Sequence, residues 1–519
     1  GVVDEALRPF GVHPAAAVDA AVAADLVAEV PDPTGAGERW VARSTLAAAE
    51  DAVAEHLTRL ARSAESLAGE RAARKAAVGL DEVQTSAVIA AAAHGVSLLT
   101  GGPGTGKSRT VAAVVTLCRK LDKTIALAAP TGRAAKRLAE LVGGGAGDTA
   151  MTIHRLLGAR RGPGESGSLF EHDADDPVRA DLVVVDEASM LDVELAAALL
   201  QALPDGAHLL IVGDPAQLPS IGPGRVLGDI LDSGAFPVTE LTRLYRQTEG
   251  GAIARLATAV RGGDLLPADP DDREVVIVPA AGSDQAAHRV VQLVTDSIPR
   301  VFGVSGEKIQ VVTPVHRGPA GTQALNRALK KVLNPGRGAV RGFDTGDRVV
   351  ATANYLDAEP TGYANGEVGT VVDTGDNSVR VAFPGGESEI SGKALSDLLH
   401  GWAVTVHRAQ GSEWEAVVAV LPPEAGGMLS RPLVYTALTR ARIHLSVVHA
   451  AGPMLARAVR HVGARPRRTR LESLLRPAGR ASAGPGSGGE PAADPEGAAP
   501  AAATTRKPGR AQPVGHGAD

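Results

Sequence analysis

Short apolar runs recur along most of the chain, and longer stretches with helical periodicity separate them. In the first half of the chain the strand-like runs are 97–100, 124–128, 182–185 and 208–212. In the second half they are 275–278, 309–313, 416–421 and 444–448. Mostly apolar strands that alternate with helices are typical of parallel sheets covered on both faces. The pattern therefore predicts an α/β protein with two parallel-sheet domains.

Three other regions have different patterns. Residues 1–78 are rich in alanine and helical in periodicity, and positions 44–61 predict one amphipathic helix with Ser44 as its N-cap. Residues 340–400 contain short strand-like runs between turns rich in Gly, Asp and Asn, which predict a small antiparallel barrel inserted into the second sheet domain. From residue 478 onward the composition is Pro, Gly, Ala and Ser, and we predict a disordered tail.

These patterns divide the chain into consecutive regions. They are a helical N-terminal region (1–78), a first sheet domain (79–240), the first part of a second sheet domain (241–339), the inserted barrel (340–400), the second part of the second domain (401–477) and the tail (478–519).

Composition limits the class of protein without naming its activity. The 519 residues are too many for one core, and a hydrophobic content of 44% is that of a globular protein. No apolar run approaches the length that spans a bilayer, so we expect no membrane. The single cysteine, Cys118, excludes a disulfide framework and predicts a reducing, cytoplasmic compartment. The net charge of −6 leaves nucleic-acid binding open, because such binding depends on local patches.

The strongest chemical signal is a glycine-rich segment between a predicted strand and a predicted helix. From Thr100 it reads Thr-Gly-Gly-Pro-Gly-Thr-Gly-Lys-Ser, which matches the phosphate-loop pattern. In such a loop the backbone N–H groups surround the phosphates, the lysine reaches the β- and γ-phosphates, and the hydroxyl binds Mg²⁺. The predicted nucleotide-binding residues are Gly101, Gly102, Pro103, Gly104, Thr105, Gly106, Lys107 and Ser108.

Polar residues follow two later strands. Asp186 and Glu187 end the run 182–185, and beside a phosphate loop we expect Asp186 to hold Mg²⁺ together with Ser108 and Glu187 to polarise the attacking water. A strand that ends in a solvated acid pair is the weaker alternative. Gln217 follows the run 208–212 and is placed to sense a γ-phosphate, a role compatible with the turn that precedes it.

Two arginines are candidates for a contact with the γ-phosphate. Arg246 and Arg440 lie in the second sheet domain, and an arginine in this position contributes about 10³–10⁵ in rate. Isolated arginines are usually solvated, so their spacing alone carries little weight.

Taken in order, several segments resemble the motif series of superfamily 1 helicases, and their amino-acid sequences are most similar to those of the RecD-like branch. The segments are 101–108, 186–189, 213–217, 245–247, 406–413 and 435–440. The resemblance implies two RecA-like domains with ATP between them, single-stranded DNA across their tops and 5′-to-3′ movement. It implies that 340–400 is a Src-homology-3-like barrel and that a strand-separating pin lies within 157–181. It also implies that much of the longer N-terminal region of stand-alone members is missing.

The resemblance assigns further contacts. Gln84 matches an adenine-reading glutamine. The implied DNA contacts are Thr131, Arg133, His154, Thr313, Pro314, Thr405 and His407.

Other polar and aromatic residues have two readings each. Arg133, Lys136 and Arg137 share a helical face that could neutralise DNA phosphates or be solvated. Trp402 is a base-stacking candidate or a core residue. The basic run 465–470 is expected to be solvated, and the acidic stretch 171–176 is expected to be a polar loop rather than a metal site.

These observations predict an ATP-dependent DNA helicase that acts as a monomer on single strands and duplex junctions, with recombination or repair proteins as partners. The alternatives are a DNA-stimulated ATPase or translocase that does not separate duplex, and a regulatory subunit of a recombination complex.

Overall fold

The computed structural model describes residues 14–32, 37, 39–143, 150–159, 170–243, 251–267, 269, 272–355, 358, 360–363, 365–460 and 467–476. The α-helices are Pro14–Ala23 (α1), Ser44–Ser63 (α2), Glu70–Ala76 (α3), Glu82–Ala93 (α4), Lys107–Lys120 (α5), Gly132–Val142 (α6), Ile153–Leu156 (α7), Val193–Gln201 (α8), Val226–Ser233 (α9), Ala252–Gly262 (α10), Ser283–Gln292 (α11), Ile298–Phe302 (α12), Thr322–Leu333 (α13), Gly392–Ser396 (α14), Arg431–Leu438 (α15), Pro453–Arg460 (α16) and Leu471–Leu475 (α17).

The strands are Val27–Val30 (β1), Trp40–Arg43 (β2), Val96–Gly101 (β3), Ile125–Ala129 (β4), Met151–Thr152 (β5), Leu182–Val185 (β6), His208–Gly213 (β7), Val238–Leu241 (β8), Val275–Pro279 (β9), Ile309–Thr313 (β10), Arg348–Ala351 (β11), Val368–Thr374 (β12), Ser378–Phe383 (β13), Gly386–Ser391 (β14), Leu398–His400 (β15), Ala403–Thr405 (β16), Trp414–Leu421 (β17) and Ala441–His449 (β18).

The first parallel sheet has six strands in the order β5-β4-β6-β7-β3-β8. Successive side chains of its strands enter opposite cores: Leu98 packs in one cluster with Leu57 of α2, and Leu99 in another with Val111 of α5. The predicted strands are confirmed to within a few residues. The short edge strands β5 and β8 are not predicted, because a run of two to four half-exposed residues has no clear apolar period.

The second parallel sheet has five strands in the order β16-β10-β17-β18-β9. Val417 and Val418 of its central strand β17 lie in the two clusters that cover its faces. The prediction of two parallel sheets, each covered on both sides, is therefore confirmed, and no described helix is long and apolar enough to cross a membrane.

The insert between α13 and β16 is a five-stranded antiparallel sheet, in the order β14-β13-β12-β11-β15, with its own core. The predicted antiparallel insertion is thus confirmed. The Lys330 ammonium of α13 donates to Asp344 and Asp347 at 2.6 and 2.7 Å, which fixes the entry into the insert. At the exit, β15 of the insert is followed directly by β16 of the second sheet.

The N-terminal region contains more than helix. The antiparallel hairpin of β1 and β2 ends at Arg43, which is the N-cap of α2. Ser44 is therefore inside the helix, and its hydroxyl donates to Asp25 at 3.3 Å, so the prediction that Ser44 caps the helix is wrong. Leu57 and Leu60 of α2 pack into a core of the first sheet.

The last described segment, 467–476, packs on the first sheet domain. Leu471 and Leu475 of α17 join the same cluster as α2. Arg470 donates to Glu50 at 3.1 Å and to Asp51 at 2.7 Å. The expectation that this basic run is solvated is wrong for Arg470, because the segment returns from the second domain to bury its arginine against two acids.

Candidate functional site

The phosphate-loop sequence forms a tight turn between β3 and α5. Gly104 and Gly106 have φ values of 77° and 89°, a left-handed conformation that glycine adopts without a steric penalty. Lys107 begins α5, and its ammonium donates to the carbonyls of Gly101 and Gly102 at 2.6 and 3.0 Å. The lysine therefore lies across the loop, at the start of a helix whose N-terminal N–H groups favour an anion.

A cavity of about 270 Å³ opens above this loop and is lined by both sheet domains. Among the residues predicted for catalysis or metal binding, the first domain contributes Lys107, Ser108, Asp186, Glu187 and Gln217, and the second contributes Arg440. Arg137 of α6 and Glu413 also line it. The structure thus brings together side chains that lie more than 300 positions apart in the sequence.

The acid pair at the end of β6 is held in an unusual conformation. Glu187 has φ 54° and ψ 37°, a left-handed geometry that costs energy for a residue with a side chain. Its N–H donates to the Asp186 carboxylate at 2.8 Å. Burial raises the pKa of both Asp186 and Glu187, because it disfavours the charged form of each carboxyl group. Backbone strain and shifted carboxyl groups cluster at functional sites.

The residues present fit a magnesium ion. The described residues contain no group of three or more His, Cys, Asp or Glu side chains that could hold a metal unaided. Ser108 and Asp186 nevertheless line one cavity, and Mg²⁺ commonly takes one or two protein oxygens together with water and phosphate. Such a site needs the nucleotide to complete it.

Two glutamines have buried polar atoms without a hydrogen-bond partner among the described residues. Gln217 places its Nε2 at 3.4 Å from Asp214, while its Oε1 has no partner. Gln84 uses its Oε1 to accept the N–H of Asp81 in a capping box, and its Nε2 has no partner. An unpaired buried donor or acceptor costs about 1–3 kcal/mol, and a bound ligand is one way to satisfy it.

Only one of the two predicted arginines lies in the described part of the chain. Arg440 is only 1% exposed, and its guanidinium donates to the Thr436 and Ser412 carbonyls at 3.0 and 3.1 Å. Its field lowers the pKa of Glu187, although burial and Asp186 have larger, opposing effects. Arg246 lies outside the described residues.

Contacts that sequence reasoning missed join the two sheet domains at the loop after β7. The Tyr435 hydroxyl donates to the buried Asp214 carboxylate at 2.8 Å. The Leu218 N–H donates to the Thr436 hydroxyl at 2.9 Å, and the Leu218 carbonyl accepts the Gln410 amide at 2.8 Å. These residues stand within or beside the quoted motifs, but only the tertiary structure pairs them.

Arg467 holds the same loop from its other end. Its guanidinium donates to the Gly222 and Gly224 carbonyls at 2.7 and 2.6 Å, and to the hydroxyl and carbonyl of Ser220. The neighbouring Arg468 instead lies over the Trp40 ring at 5.1 Å. The prediction of a solvated basic run is therefore wrong for Arg467 as well, because a single guanidinium fork can satisfy several carbonyls that a turn leaves unpaired.

The residues that the resemblance implies for DNA binding divide by exposure. Thr131, Arg133, His154 and His407 are half-buried. Thr313, Pro314 and Thr405 are buried, and the Thr313 hydroxyl donates to the Ala320 carbonyl at 3.0 Å. We therefore do not assign the Thr313 side chain to DNA, and the other contacts remain predictions.

The basic face of α6 contacts the second domain and the insert. Arg133 lies over the Trp414 ring at 4.6 Å, the Lys136 ammonium donates to the Pro384 carbonyl at 2.8 Å, and Arg137 pairs with Glu413 at 2.9 Å. Neither of the two sequence-based readings, DNA phosphates or solvent, describes these contacts.

The remaining candidates are placed as follows. Trp402 is 3% exposed and belongs to a core of the second sheet, so the core reading is confirmed. Asp173 accepts the N–H groups of Asp175 and Asp176, which makes the acidic stretch a hydrogen-bonded polar turn. Within the predicted pin segment, 160–169 lie outside the described residues. The flanking Ala159 and Phe170 form an antiparallel bridge.

Comparison with known proteins agrees with the motif series. A family model described as an AAA domain matches residues 84–223, and a model described as a UvrD-like helicase C-terminal domain matches residues 400–448. A solved structure that concerns DNA unwinding at forked duplex DNA by two coordinating Pif1 helicases covers 70% of this chain and 89% of that chain. Its identity is 18% and its TM-score 0.43, a likeness too low to carry an argument.

Two relatives are similar at the level of sequence. The ATP-dependent RecD2 DNA helicase of Deinococcus radiodurans is 42% identical over 71% of this chain, which spans only 49% of that relative. The RecBCD enzyme subunit RecD of Mycolicibacterium smegmatis is 33% identical over 77% of this chain and 76% of its own length. The second match covers most of both proteins, so it extends well beyond the nucleotide site. The chain therefore belongs to the RecD-like branch of the superfamily 1 DNA helicases.

Proposed function

We propose that the chain is an ATP-dependent DNA helicase that moves 5′-to-3′ along single-stranded DNA and unwinds duplex. One observation carries the proposal. A phosphate loop, an acid pair and a glutamine on the first sheet share one cavity with a buried arginine on the second sheet. A cavity built in this way allows nucleotide turnover to change the distance between two domains.

The chain's own residues divide the chemical work. Lys107 leaves the loop carbonyls and binds the β- and γ-phosphates, while the glycine-rich loop surrounds them with N–H groups. Asp186 and Ser108 supply the protein oxygens for the metal. Glu187 orients and deprotonates the attacking water, and the unpaired carbonyl oxygen of Gln217 accepts a hydrogen bond from that water beside the γ-phosphate. Held by Asp186 and Ser108, Mg²⁺ would supply positive charge against the phosphates.

The second domain responds to the state of the γ-phosphate. Arg440 stabilises the transferring phosphoryl group, and Arg246 is proposed to act beside it. Because Asp214 and Leu218 are bonded to the helix that precedes Arg440, movement of the loop after β7 reaches the second domain directly. Alternating grip by the two domains then moves the strand.

The nucleic-acid substrate and its contacts are part of the proposal. Thr131, His154 and His407, half-buried and on both domains, are the proposed strand contacts. Gln84 is proposed to read adenine with its unpaired amide. We also propose a monomer in the cytoplasm, with recombination or repair proteins as partners. The buried, unbridged Cys118 is compatible with a reducing compartment.

The test is ATP hydrolysis with and without single-stranded DNA. We expect strong stimulation by DNA in the wild type and none in Lys107→Ala, because the lysine alone supplies the positive side chain of the phosphate loop. The matched control is Lys120→Ala, which removes an exposed lysine from the other end of α5.

Unwinding is tested afterwards on duplexes with a 5′ or a 3′ single-stranded tail. Separation of only the 5′-tailed duplex supports the proposed direction. DNA-stimulated hydrolysis without separation identifies a translocase, and hydrolysis that ignores DNA contradicts the helicase proposal.

A further inference from the structure

A second cavity of about 480 Å³ lies beside the nucleotide cavity. One face of α6 forms one wall of this cavity. The opposite wall contains Pro384 of the insert and Gly411 and Glu413 of the second sheet domain. Arg137 and Glu413 line both cavities. The two spaces are therefore neighbours, and the ion pair between Arg137 and Glu413 belongs to their common wall.

The lining of this cavity is positively charged. It contains the cationic side chains of Arg133, Lys136, Arg137 and Arg442 and the acids Glu140 and Glu413. The main contacts of Arg133 and Lys136 are neutral: an indole ring and a backbone carbonyl. Neither partner carries a negative charge, although the field of Glu367 acts on Arg133 and the side chain of Lys136 is exposed.

A further arginine increases this positive potential. Arg348 of β11 donates to the carbonyls of Glu307 and Ile309, which are again neutral partners. Burial and repulsion from Arg133 lower the pKa of Arg348 to about 9, and burial lowers the pKa of Arg133 to about 10, although Glu367 opposes that shift. Arg348 does not line the cavity, but its repulsion with Arg133, which does, favours an anion beside Arg133. Phosphate oxygens make strong charge-assisted hydrogen bonds with such groups.

We propose that this cavity binds the inorganic phosphate released by hydrolysis on its way out of the nucleotide site. The inference rests on the ATPase function proposed above. Arg137 belongs to the first domain and Glu413 to the second, so an opening of the cleft separates the ion pair and connects the two cavities. Phosphate then moves towards Arg133 and Lys136, and its return is blocked when the pair re-forms.

A phosphate group of the DNA backbone has the same chemistry, and the shared helical face of the three basic residues also fits that ligand. The geometry favours free phosphate. Arg137 lines the nucleotide cavity itself, and the Lys136 ammonium already donates to the Pro384 carbonyl of the insert. The experiment has one arm for each source.

The first arm measures binding of inorganic phosphate to the full chain by ³¹P line broadening, with ADP and Mg²⁺ present to fill the nucleotide site. We expect Lys136→Ala to weaken phosphate binding about fivefold and Lys136→Glu about 25-fold, since a charge pair near 4 Å in water is worth that factor per unit charge. Lys120→Ala is the matched control, and it should bind phosphate like the wild type. This readout needs no turnover, so a chain without ATPase activity still gives a valid result.

The second arm measures the affinity of the same variants for single-stranded DNA at several salt concentrations. We expect the affinity and its salt dependence to stay unchanged. A salt slope reduced by about one in Lys136→Ala, with phosphate binding unaltered, assigns the face to the DNA backbone and overturns the proposal. Phosphate binding that is equal in all variants overturns it as well.

Discussion

In both parallel sheets polar loops follow the carboxyl ends of strands, but the loops of the two sheets carry different kinds of residue. The first sheet carries the glycine-rich loop after β3, the acid pair after β6 and Asp214 after β7. In the second sheet, the residues expected to face DNA at the end of β10 and β16 are largely buried. Its contribution to the nucleotide cavity comes instead from Arg440 and Glu413.

The comparison shows that similar architecture does not imply similar chemistry. The first sheet can hold a nucleotide because glycine permits the left-handed turns that aim N–H groups inward. The second sheet has no such loop among its described strands, and we propose that the side chains it contributes respond to what the first sheet binds. The asymmetry is expected wherever a function is added to a fold by its loops.

The largest effect tests the chemical contribution of the second sheet. Arg440→Ala should lower the kcat of DNA-stimulated hydrolysis by about 10³-fold, because an arginine at the γ-phosphate is worth about 10³–10⁵. Arg440→Lys should restore only part of the rate, since a point charge lacks the planar fork. Steady-state kinetics measures both, and thermal melting checks the fold.

Arg457→Ala, which removes an exposed arginine from α16 of the same domain, is the control. A loss smaller than about threefold in Arg440→Ala is far below the range for such an arginine and would confine all the chemistry to the first sheet.

The next effect concerns the link between the sheets. Tyr435→Phe leaves the buried Asp214 carboxylate without its phenol donor, and this should cost about 1–3 kcal/mol of unfolding free energy. We expect the stimulation by DNA to fall with it. Tyr355→Phe removes a similar hydroxyl bond to Asp397 within the insert, at 2.6 Å. If both variants lose equal stability and neither changes DNA stimulation, the Tyr435 bond is structural only.

A smaller effect is expected at the segment that returns to the first sheet. Arg467→Ala should lower kcat by up to about tenfold, which corresponds to 1.4 kcal/mol, with little change in the KM for ATP. The reason is that the loop between Gln217 and Gly224 loses the guanidinium that holds its carbonyls. Arg468→Ala, which removes only the contact with Trp40, should keep the wild-type rate. Equal kinetics in the two variants would contradict a role of Arg467 in loop position.

The smallest effect is a pH dependence of the insert. The hydrogen bond from Lys330 is the main reason why the pKa of Asp344 lies at about 2 instead of the usual 3.8. A depressed acid stabilises the folded state above its unfolded pKa, and this stabilisation is lost as the pH falls from about 4 towards 2. Thermal melting measured from pH 6 to pH 2 should show that loss of stability. In Asp344→Asn the loss between pH 4 and pH 2 should be smaller. If the variant loses as much stability at acid pH as the wild type, Asp344 is not the cause of that loss.

Much of the fold was accessible from local patterns. The apolar runs predicted the central strands of both sheets, because a fully buried strand must be apolar along its whole length. The edge strands β5 and β8 escaped prediction, since short and partly exposed strands carry no such requirement. The error at Ser44 has the same origin. A serine near a helix start is a good cap in isolation, but the preceding β2 fixes Arg43 in that position.

The candidate site also contains residues that local motifs predict and residues that they do not. Gly104, Lys107 and Asp186 could be predicted because a phosphate loop and a strand-end acid are short motifs in which chemistry dictates neighbouring residues. Tyr435 with Asp214, and Arg467 with Gly222, are more than 200 positions apart, and no local pattern specifies such pairs. Arg133 and Lys136 were found as a basic face, but the face meets Trp414 and Pro384 only because the second domain closes over it.

The sequence by itself determined the two parallel sheets, the inserted strands and the phosphate-binding chemistry, because period, composition and motif spacing are local properties of a chain. The tertiary structure alone decided which basic residues are committed to partners, how the loop after β7 is held and that a positive cavity adjoins the nucleotide site. These features depend on contacts between distant segments. The physical reason is that the burial and the charge partners of a side chain depend on which distant segment packs against it. The residue type alone does not specify that segment.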